Sequence, residues 1–179
     1  VGKVLSDRYR IERHLGEGAM GAVYLAEHTL MHKRVAIKVL HGEMSRSAEV
    51  VARFEREAVA AGHIEHPNVA SASDFGKLDD GSFFLVLEYI EGIGLRDLLE
   101  QYGVLPAKRA LHIVSQVCSA LVRAHGLGIV HRDLKPENVM LVDRSGDPDF
   151  VKVLDFGIAR VPIGELASEL SKPKKAGTA

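Results

Sequence analysis

Short runs of apolar residues occupy the first half of the chain and predict β-strands at residues 9–15, 22–28 and 35–40. Two further strand candidates flank a polar turn at 78–81, and the second, SFFLVLEYIEG, is continuously apolar up to Glu88. A strand of that composition is typical of the buried centre of a sheet. Between the two groups, apolar residues at helical spacing predict a helix over 47–62. The pattern therefore predicts an antiparallel sheet with one main helix.

Helical spacing prevails in the second half of the chain. Leu95, Leu98 and Leu99 share one face of a short helix that Gly103 ends. A longer helix is predicted over 107–127, and its apolar residues are too numerous for a single stripe. We therefore expect this helix to be covered on more than one side. We also expect the chain by itself to expose an apolar patch and to be unstable or to self-associate.

Composition narrows the class of protein. A length of 179 residues is consistent with one domain, and the apolar fraction of 46% and charged fraction of 26% are ordinary for a globular protein. The net charge of −1 gives no overall attraction to nucleic acid or to an anionic membrane. No apolar run is long enough for a membrane span and no signal sequence opens the chain, so a cytoplasmic location is expected.

Cys118 is the only cysteine in the chain. A single cysteine excludes an intrachain disulfide framework and any cysteine-rich zinc site. Its neighbours form an apolar helical pattern, which predicts a small buried core residue rather than a nucleophile.

A glycine-rich segment, Gly16 to Gly21, lies between the first two predicted strands. Glycines let backbone amides approach phosphate oxygens without a Cβ in the way. A dinucleotide-binding turn has the same spacing but requires a helix directly after the glycines, whereas this sequence continues with strand-forming residues. The segment therefore predicts a hairpin with a glycine-rich tip, which either covers phosphates or serves only as a flexible turn.

Lys38 places a cation within an apolar strand, on the face opposite Val35 and Ile37. A lysine in that position needs an anionic partner or an exit to water, and the residue alone does not decide between these. Glu57 lies beside the apolar stripe of the predicted helix and could turn inward, whereas its competitor Glu55 is more naturally solvated.

The stretch from Ile129 to Gly157 combines acids, a lysine and an asparagine with two short apolar runs. Short apolar runs beside irregular polar turns indicate strands that present chemistry from loops. His131-Arg132-Asp133, Asn138 and Asp155-Phe156-Gly157 have the order and context of a phosphotransfer site. A second triplet of the same spelling, Asp74-Phe75-Gly76, has no such loop before it and is interpreted as a coincidental strand end.

From Tyr9 to Gly157 these motifs resemble, in order, those of the eukaryotic-like serine/threonine protein kinases, and FEREA, HPN and HRDLKPENVML are similar to the bacterial branch. The resemblance implies an α+β, protein-kinase-like bilobal fold. Residues 1–90 would form an N-lobe of antiparallel sheet with one major helix, and the stretch from Leu87 to Ile90 would form the hinge. Residues 91–179 would form an incomplete, mainly helical C-lobe that ends within the activation segment, because the Ala-Pro-Glu motif is absent.

The resemblance also implies ligands and residue roles. Asp133 would act as the catalytic base and Lys135 would offset charge near the transferred phosphate, while Glu57 would hold Lys38. Asn138 and Asp155 offer hard oxygen ligands, which suit Mg²⁺. ATP would be bound by the glycine-rich segment, by Lys38, by side chains above and below the adenine and by the hinge, which together comprise Gly16, Glu17, Gly18, Ala19, Met20, Gly21, Val23, Ala36, Lys38, Glu88, Ile90 and Met140.

Protein serine and threonine hydroxyls are the phosphate acceptors that the resemblance implies. Arg132 before the catalytic acid suggests control by a phosphorylated activation segment, because a guanidinium can clamp phosphate bidentately. The candidate phosphorylation sites are Ser168, Ser171 and Thr178. Two other functions stay open: a nucleotide-binding but catalytically silent scaffold or regulator, and a small-molecule kinase of related fold. The spelling HRDLKPEN argues against the small-molecule class.

Overall fold

A six-stranded antiparallel sheet forms the first part of the molecule, and the computed structural model describes residues 2–18 and 20–156. The strands are β1 (Val4–Leu5), β2 (Tyr9–Glu17), β3 (Gly21–His28), β4 (Arg34–Leu40), β5 (Ala72–Lys77) and β6 (Phe83–Glu88). Their spatial order is β1-β2-β3-β4-β6-β5. Val35 and Ile37 on β4 are buried in an apolar core on one face of the sheet, so the alternation along the strand turns Lys38 to the other face.

One long helix, α1 (Ala48–His63), packs against this sheet. Ser47 precedes the helix, and its side chain accepts a hydrogen bond from the backbone N–H of Val50. Phe54 on α1 is buried and contacts Phe75 on β5, with ring centroids 5.7 Å apart. The amphipathic pattern therefore produces a helix whose apolar face lies on the sheet.

The second part of the molecule contains two helices and a three-stranded sheet. Its elements are β7 (Ile93–Gly94), α2 (Leu95–Tyr102), α3 (Ala107–His125), β8 (Val139–Arg144) and β9 (Asp147–Val153). Short 3-10 turns precede α1 and β8, at Met44–Arg46 and Pro136–Asn138. The sheet order is β7-β8-β9, and one core joins α3 to β9 through Ile113, Val117, Ala120, Ala124, Val151 and Val153.

The segment between α1 and β5 ties the two parts together. The Asn68 carbonyl accepts a hydrogen bond from the Val153 N–H at 2.8 Å, and the Ala70 N–H donates to the Val153 carbonyl at 3.0 Å. The Asn68 side chain donates to the Val151 carbonyl at 2.8 Å. Ile64, just after α1, is buried in the same core as α3 and β9. These contacts hold the two sheets in one arrangement and fix the cleft between them.

The predicted α+β architecture is confirmed, and the predicted strands and helices occur close to their expected bounds. The boundary between residues 1–90 and 91–179 remains a prediction. Several residues singled out in the sequence lie outside the described residues: Ala19, Gly157, Ser168, Ser171 and Thr178. Within the part of the chain that the structure describes, no helix is long and apolar enough to cross a membrane.

Cys118 is exposed, so the prediction of a buried core position was wrong. Cys118 follows the buried Val117 by one residue, and roughly 100° of helical rotation per residue turns it away from the core. The same outer face carries Leu111, Val114 and Val122, of which Leu111 is 70% and Val122 is 72% exposed. These four residues form the outer stripe of α3, which is the apolar patch expected from the sequence.

We expect the outer stripe to drive association of the chain, because contiguous exposed apolar surface favours contacts that remove it from water. Replacing both Leu111 and Val122 with lysine should lower the apparent mass at high protein concentration. Light scattering after size-exclusion chromatography, over a concentration series, measures this change.

Val104→Lys is the matched control for this experiment, because Val104 is 95% exposed but lies outside α3. The control should leave the concentration dependence of the mass unchanged. A monodisperse monomer at every concentration of the unsubstituted chain would contradict the expectation.

Candidate active site

A cleft of about 610 Å³ opens between the two sheets, within the size range of small-molecule binding sites. Its apolar lining comes from both sheets and the residue after β9, and includes Leu15, Gly16, Val23, Ala36, Met140 and Leu154. One wall is the segment Glu88–Ile90 at the end of β6, called the edge segment below. The polar lining includes Lys38, Glu57 and Asp155. The cleft thus offers an apolar slot beside a charged region.

The cleft brings together most of the residues that the sequence assigned to ATP. Gly16 lines the cleft, whereas Glu17, Gly18, Met20 and Gly21 are beside it, at the turn between β2 and β3. The carboxylate of Glu17 is exposed, and Met20 packs against an apolar cluster between α1 and the sheet.

Gly21 has a packing role that its spacing did not reveal. The residue pairs with Leu40 across the β3–β4 ladder, and a Cβ at this position would collide with the Val39 carbonyl oxygen. A Cβ at Gly16 would meet no atom within 4 Å. Gly21 is therefore required by the sheet itself, while the backbone at Gly16 is open to a ligand.

Lys38 connects three elements at the polar side of the cleft. Its Nζ lies 2.6 Å from Glu57 Oε1 on α1 and 3.6 Å from Asp155 Oδ1 after β9. The side chains of Lys38 and Glu57 are only 18% and 6% exposed. The sheet, the helix and the loop after β9 are thus joined by one cation.

Burial and charge act in opposite directions on this group. Burial alone would lower the pKa of Lys38, but the carboxylates of Asp155 and Glu57 outweigh it, and the pKa of Lys38 is raised. Burial raises the pKa of Glu57 from 4.5 to about 7, against the lowering effect of the Lys38 charge. Lys38 therefore stays protonated at neutral pH, and Glu57 titrates close to neutrality.

Asp133 lies in the loop between α3 and β8, together with Lys135 and Asn138. The Asn138 side-chain nitrogen donates to the Asp133 carbonyl oxygen at 2.7 Å and to its carboxylate at 3.3 Å. Lys135 Nζ lies 2.8 Å from the same carboxylate. The hydrogen bond from Lys135 lowers the pKa of Asp133 and raises the pKa of Lys135. At neutral pH Asp133 is an ionised and mainly exposed acceptor.

His131, a buried residue of the same loop, supports it from within the fold. Its Nε2 donates to the Leu154 carbonyl at 2.9 Å, and its ring lies 4.8 Å from the ring of Phe156. Arg132 and Asp155 both have positive φ angles, of 63° and 44°. Non-glycine residues rarely adopt this conformation, and residues held in it cluster at functional sites.

The residues that line the cleft but were not identified from the sequence include Leu15, Ala70, Asp97 and Leu154. Leu15 and Leu154 directly precede assigned motifs, so their position next to Gly16 and Asp155 was an available signal. Ala70 and Asp97 reach the cleft through the tertiary arrangement of a loop and of α2, and no local pattern marks them.

The second triplet, Asp74-Phe75-Gly76, lies within β5 and is not part of this site. The Asp74 carboxylate accepts a hydrogen bond from the Tyr9 hydroxyl at 2.8 Å and is 2.9 Å from an Arg8 guanidinium nitrogen. Asp74 therefore ties β5 to the start of β2, away from the cleft.

Comparison with known proteins finds matches over most of the chain. The family described as protein kinase domain matches residues 9–173. The chain is 48% identical over 161 residues to the serine/threonine-protein kinase pkn3 of Myxococcus xanthus, covering 90% of this chain and 29% of that protein. It is 44% identical over 159 residues to the serine/threonine-protein kinase PrkC of Bacillus subtilis, covering 89% of this chain and 24% of that protein.

Solved structures show the same likeness. The kinase domain of Mycobacterium tuberculosis PknI is 34% identical, with a TM-score of 0.72, over 93% of this chain and 67% of that domain. The chain spans less than a third of the length of the two curated relatives, 29% and 24%.

Lys38→Met should destabilise the fold more at pH 8 than at pH 5.5. Removing Lys38 removes the charge that lowers the pKa of Glu57, so that pKa rises further above about 7. A group whose pKa is raised by folding contributes its stability below its unfolded pKa and loses it as pH rises through the folded pKa. Because pH 8 lies only about one unit above the folded pKa of Glu57, at about 1.4 kcal/mol per unit we expect the substitution to cost about 1 kcal/mol more at pH 8 than at pH 5.5. Urea unfolding at both pH values measures the difference.

The control for this pH dependence is the double variant Lys38→Met, Glu57→Gln, compared with Glu57→Gln alone. Without an ionisable group at position 57, Lys38→Met should cost the same free energy of unfolding at pH 8 as at pH 5.5. An equal cost of Lys38→Met at both pH values would show that the Glu57 carboxyl does not respond to Lys38.

Proposed function

The chain belongs to the protein kinase family, and we propose that it carries the ATP-binding and catalytic residues of a serine/threonine kinase. In this proposal the γ-phosphate of ATP is transferred to serine or threonine hydroxyls of proteins. The observation that supports it most directly is the contact of Lys38 with both Glu57 and Asp155 beside the cleft, at 2.6 Å and 3.6 Å. A cation held between two acids in this way is poised to meet phosphate oxygens.

The adenine of ATP would occupy the apolar slot, between Val23 and Ala36 on one side and Met140 on the other. Backbone groups of Glu88 and Ile90 would meet its edge. Gly16 and the turn after it would cover the phosphates, because an open backbone allows amide nitrogens to approach oxygen. Lys38 would contact the α- and β-phosphates.

Asn138 and Asp155 would hold Mg²⁺ through oxygen atoms. Asn138 uses its side-chain nitrogen in the contacts with Asp133, so its amide oxygen is directed elsewhere and fits a ligand role. Among the described residues, no group of three His, Cys, Asp or Glu is arranged to hold a metal alone. This donor set fits Mg²⁺, which proteins bind through one or two side-chain oxygens together with substrate phosphates. The bound ion would neutralise charge that develops on the transferred phosphate.

Asp133 would orient the acceptor hydroxyl and take its proton. Its carboxylate is more than half exposed, so a protein substrate can reach it, and its lowered pKa keeps it ionised at neutral pH. An acid of lowered pKa is a weak base, which suits a reaction whose main demands are positioning and charge neutralisation. Lys135, 2.8 Å from Asp133, supplies positive charge beside the transferred group.

Asp133→Asn should lower kcat by about 10²–10⁴-fold, the contribution of a positioned proton acceptor. Affinity for Mg²⁺-ATP should change little, because Asp133 does not line the cleft. The assay is phosphotransfer to a generic basic protein, with nucleotide binding measured by calorimetry. Both this chain and a form extended at its C-terminus are assayed, since the outer stripe of α3 is exposed here.

Asp143→Asn is the matched control, an exposed acid on β8 outside the cleft. It should leave both turnover and affinity unchanged. Full turnover of Asp133→Asn in an active form would refute the assignment of Asp133 as base. An extended form that binds Mg²⁺-ATP without transferring phosphate would favour a silent regulatory module instead.

A further inference from the structure

Lys152 on β9 is a buried lysine that the proposed mechanism does not use. Its neighbours Val151 and Val153 are fully buried in the core with α3, so the strand alternation turns Lys152 to the opposite face. On that face its cross-strand partner is Met140, which lines the cleft. The side chain of Lys152 is only 12% exposed.

The ammonium group of Lys152 joins three segments of the chain. Its Nζ lies 2.9 Å from the Glu88 carboxylate and 3.4 Å from the Val69 carbonyl oxygen. The Glu88 carboxylate also accepts from the Ser71 N–H at 3.4 Å, and the Glu88 N–H donates to the Ser71 carbonyl at 2.8 Å. The edge segment, the loop after α1 and β9 therefore meet at one cation.

A contact of this kind fixes position as well as adding stability. Glu88 is the first residue of the edge segment, whose backbone would meet the adenine, and its side chain is turned toward Lys152 instead of being free in solvent. Lys152 is also three residues before Asp155 on the same continuous backbone. Holding the edge segment against β9 keeps its backbone in a position to bind a ligand, which reduces the entropy that is lost on binding.

We propose that Lys152 is a positioning residue that holds the edge segment in register for the nucleotide base. It acts through the Glu88 carboxylate and touches neither the base nor the phosphates. The proposal rests on the proposed function, because it assumes that the cleft binds ATP. It predicts that losing Lys152 weakens recognition of the base but not of the phosphates.

A second ion pair on β9 provides a matched control. Arg109 on α3 forms two hydrogen bonds with the Asp149 carboxylate, both 2.8 Å long, and Asp149 is buried. This pair also ties β9 to another element, but neither residue lines the cleft. Loss of the Arg109 contact should therefore affect stability without affecting ligand preference.

The experiment compares Lys152→Met and Arg109→Met with the unsubstituted chain, using Mg²⁺-ATP and Mg²⁺-tripolyphosphate as probes. Tripolyphosphate has the phosphates of ATP but no base. Calorimetry should show that Lys152→Met weakens ATP binding by about fivefold and tripolyphosphate binding by less than about twofold. Arg109→Met should lower Tm and change neither affinity. Lys152→Arg should restore most of the ATP affinity, because it keeps the charge.

A second measurement covers the case in which Lys152→Met does not fold. Lys152→Gln keeps a polar side chain of similar reach, and hydrogen exchange at the amides of 88–90 should be faster in this variant than in Arg109→Met. Equal weakening of both probes, unchanged ATP binding, or unchanged exchange at 88–90 would each overturn the proposal. Failure of the unsubstituted chain to bind ATP would instead refute the proposed function, and this inference with it.

Discussion

The buried ion pair between Lys38 and Glu57 is the interaction on which the rest of the site depends. A lysine on the inner face of β4 cannot remain charged away from water without a partner, and Glu57 provides it at 2.6 Å. This requirement fixes the rotation of α1, because one face of the helix must carry both Glu57 and the apolar contacts of Phe54. Asp155 then completes the group from the other side of the cleft. The Lys38 cation thus determines how β4, α1 and the loop after β9 are arranged relative to one another.

A second constraint is the hydrogen bonding of the loop after α1 to β9. Asn68 and Ala70 satisfy the backbone groups of Val153 and Val151, which would otherwise be buried without partners. Because these bonds end two residues before Asp155, they determine where that acid emerges into the cleft. The position of Asp155 relative to Lys38 is therefore a consequence of backbone pairing, and the side chain only completes it.

The sequence predicts the parts of the site that follow from local periodicity. Strand alternation placed Lys38 opposite Val35 and Ile37, and the helical stripe favoured Glu57 over Glu55. In the structure Glu55 lines a separate groove between α1 and β5. The prediction failed where it depended on which face of a helix meets the core. The apolar pattern of α3 gave no means of choosing between Val117 and Cys118, and the choice of Cys118 as buried was wrong.

Other features depend on pairs of residues distant in sequence, and local patterns do not contain them. Gly21 is required by its close approach to Val39 on the neighbouring strand, a role that its spacing among the glycines does not reveal. Ala70 and Asp97 reach the cleft through tertiary packing. The ion pair of Lys152 with Glu88 joins residues 64 positions apart. A lysine within an apolar strand signals a missing partner at Lys152 as it does at Lys38. The helical stripe pointed to Glu57 as the partner of Lys38, whereas only the fold identifies Glu88 as the partner of Lys152. The same physical argument therefore links Lys38 to the proposed phosphate site and Lys152 to the proposed base site.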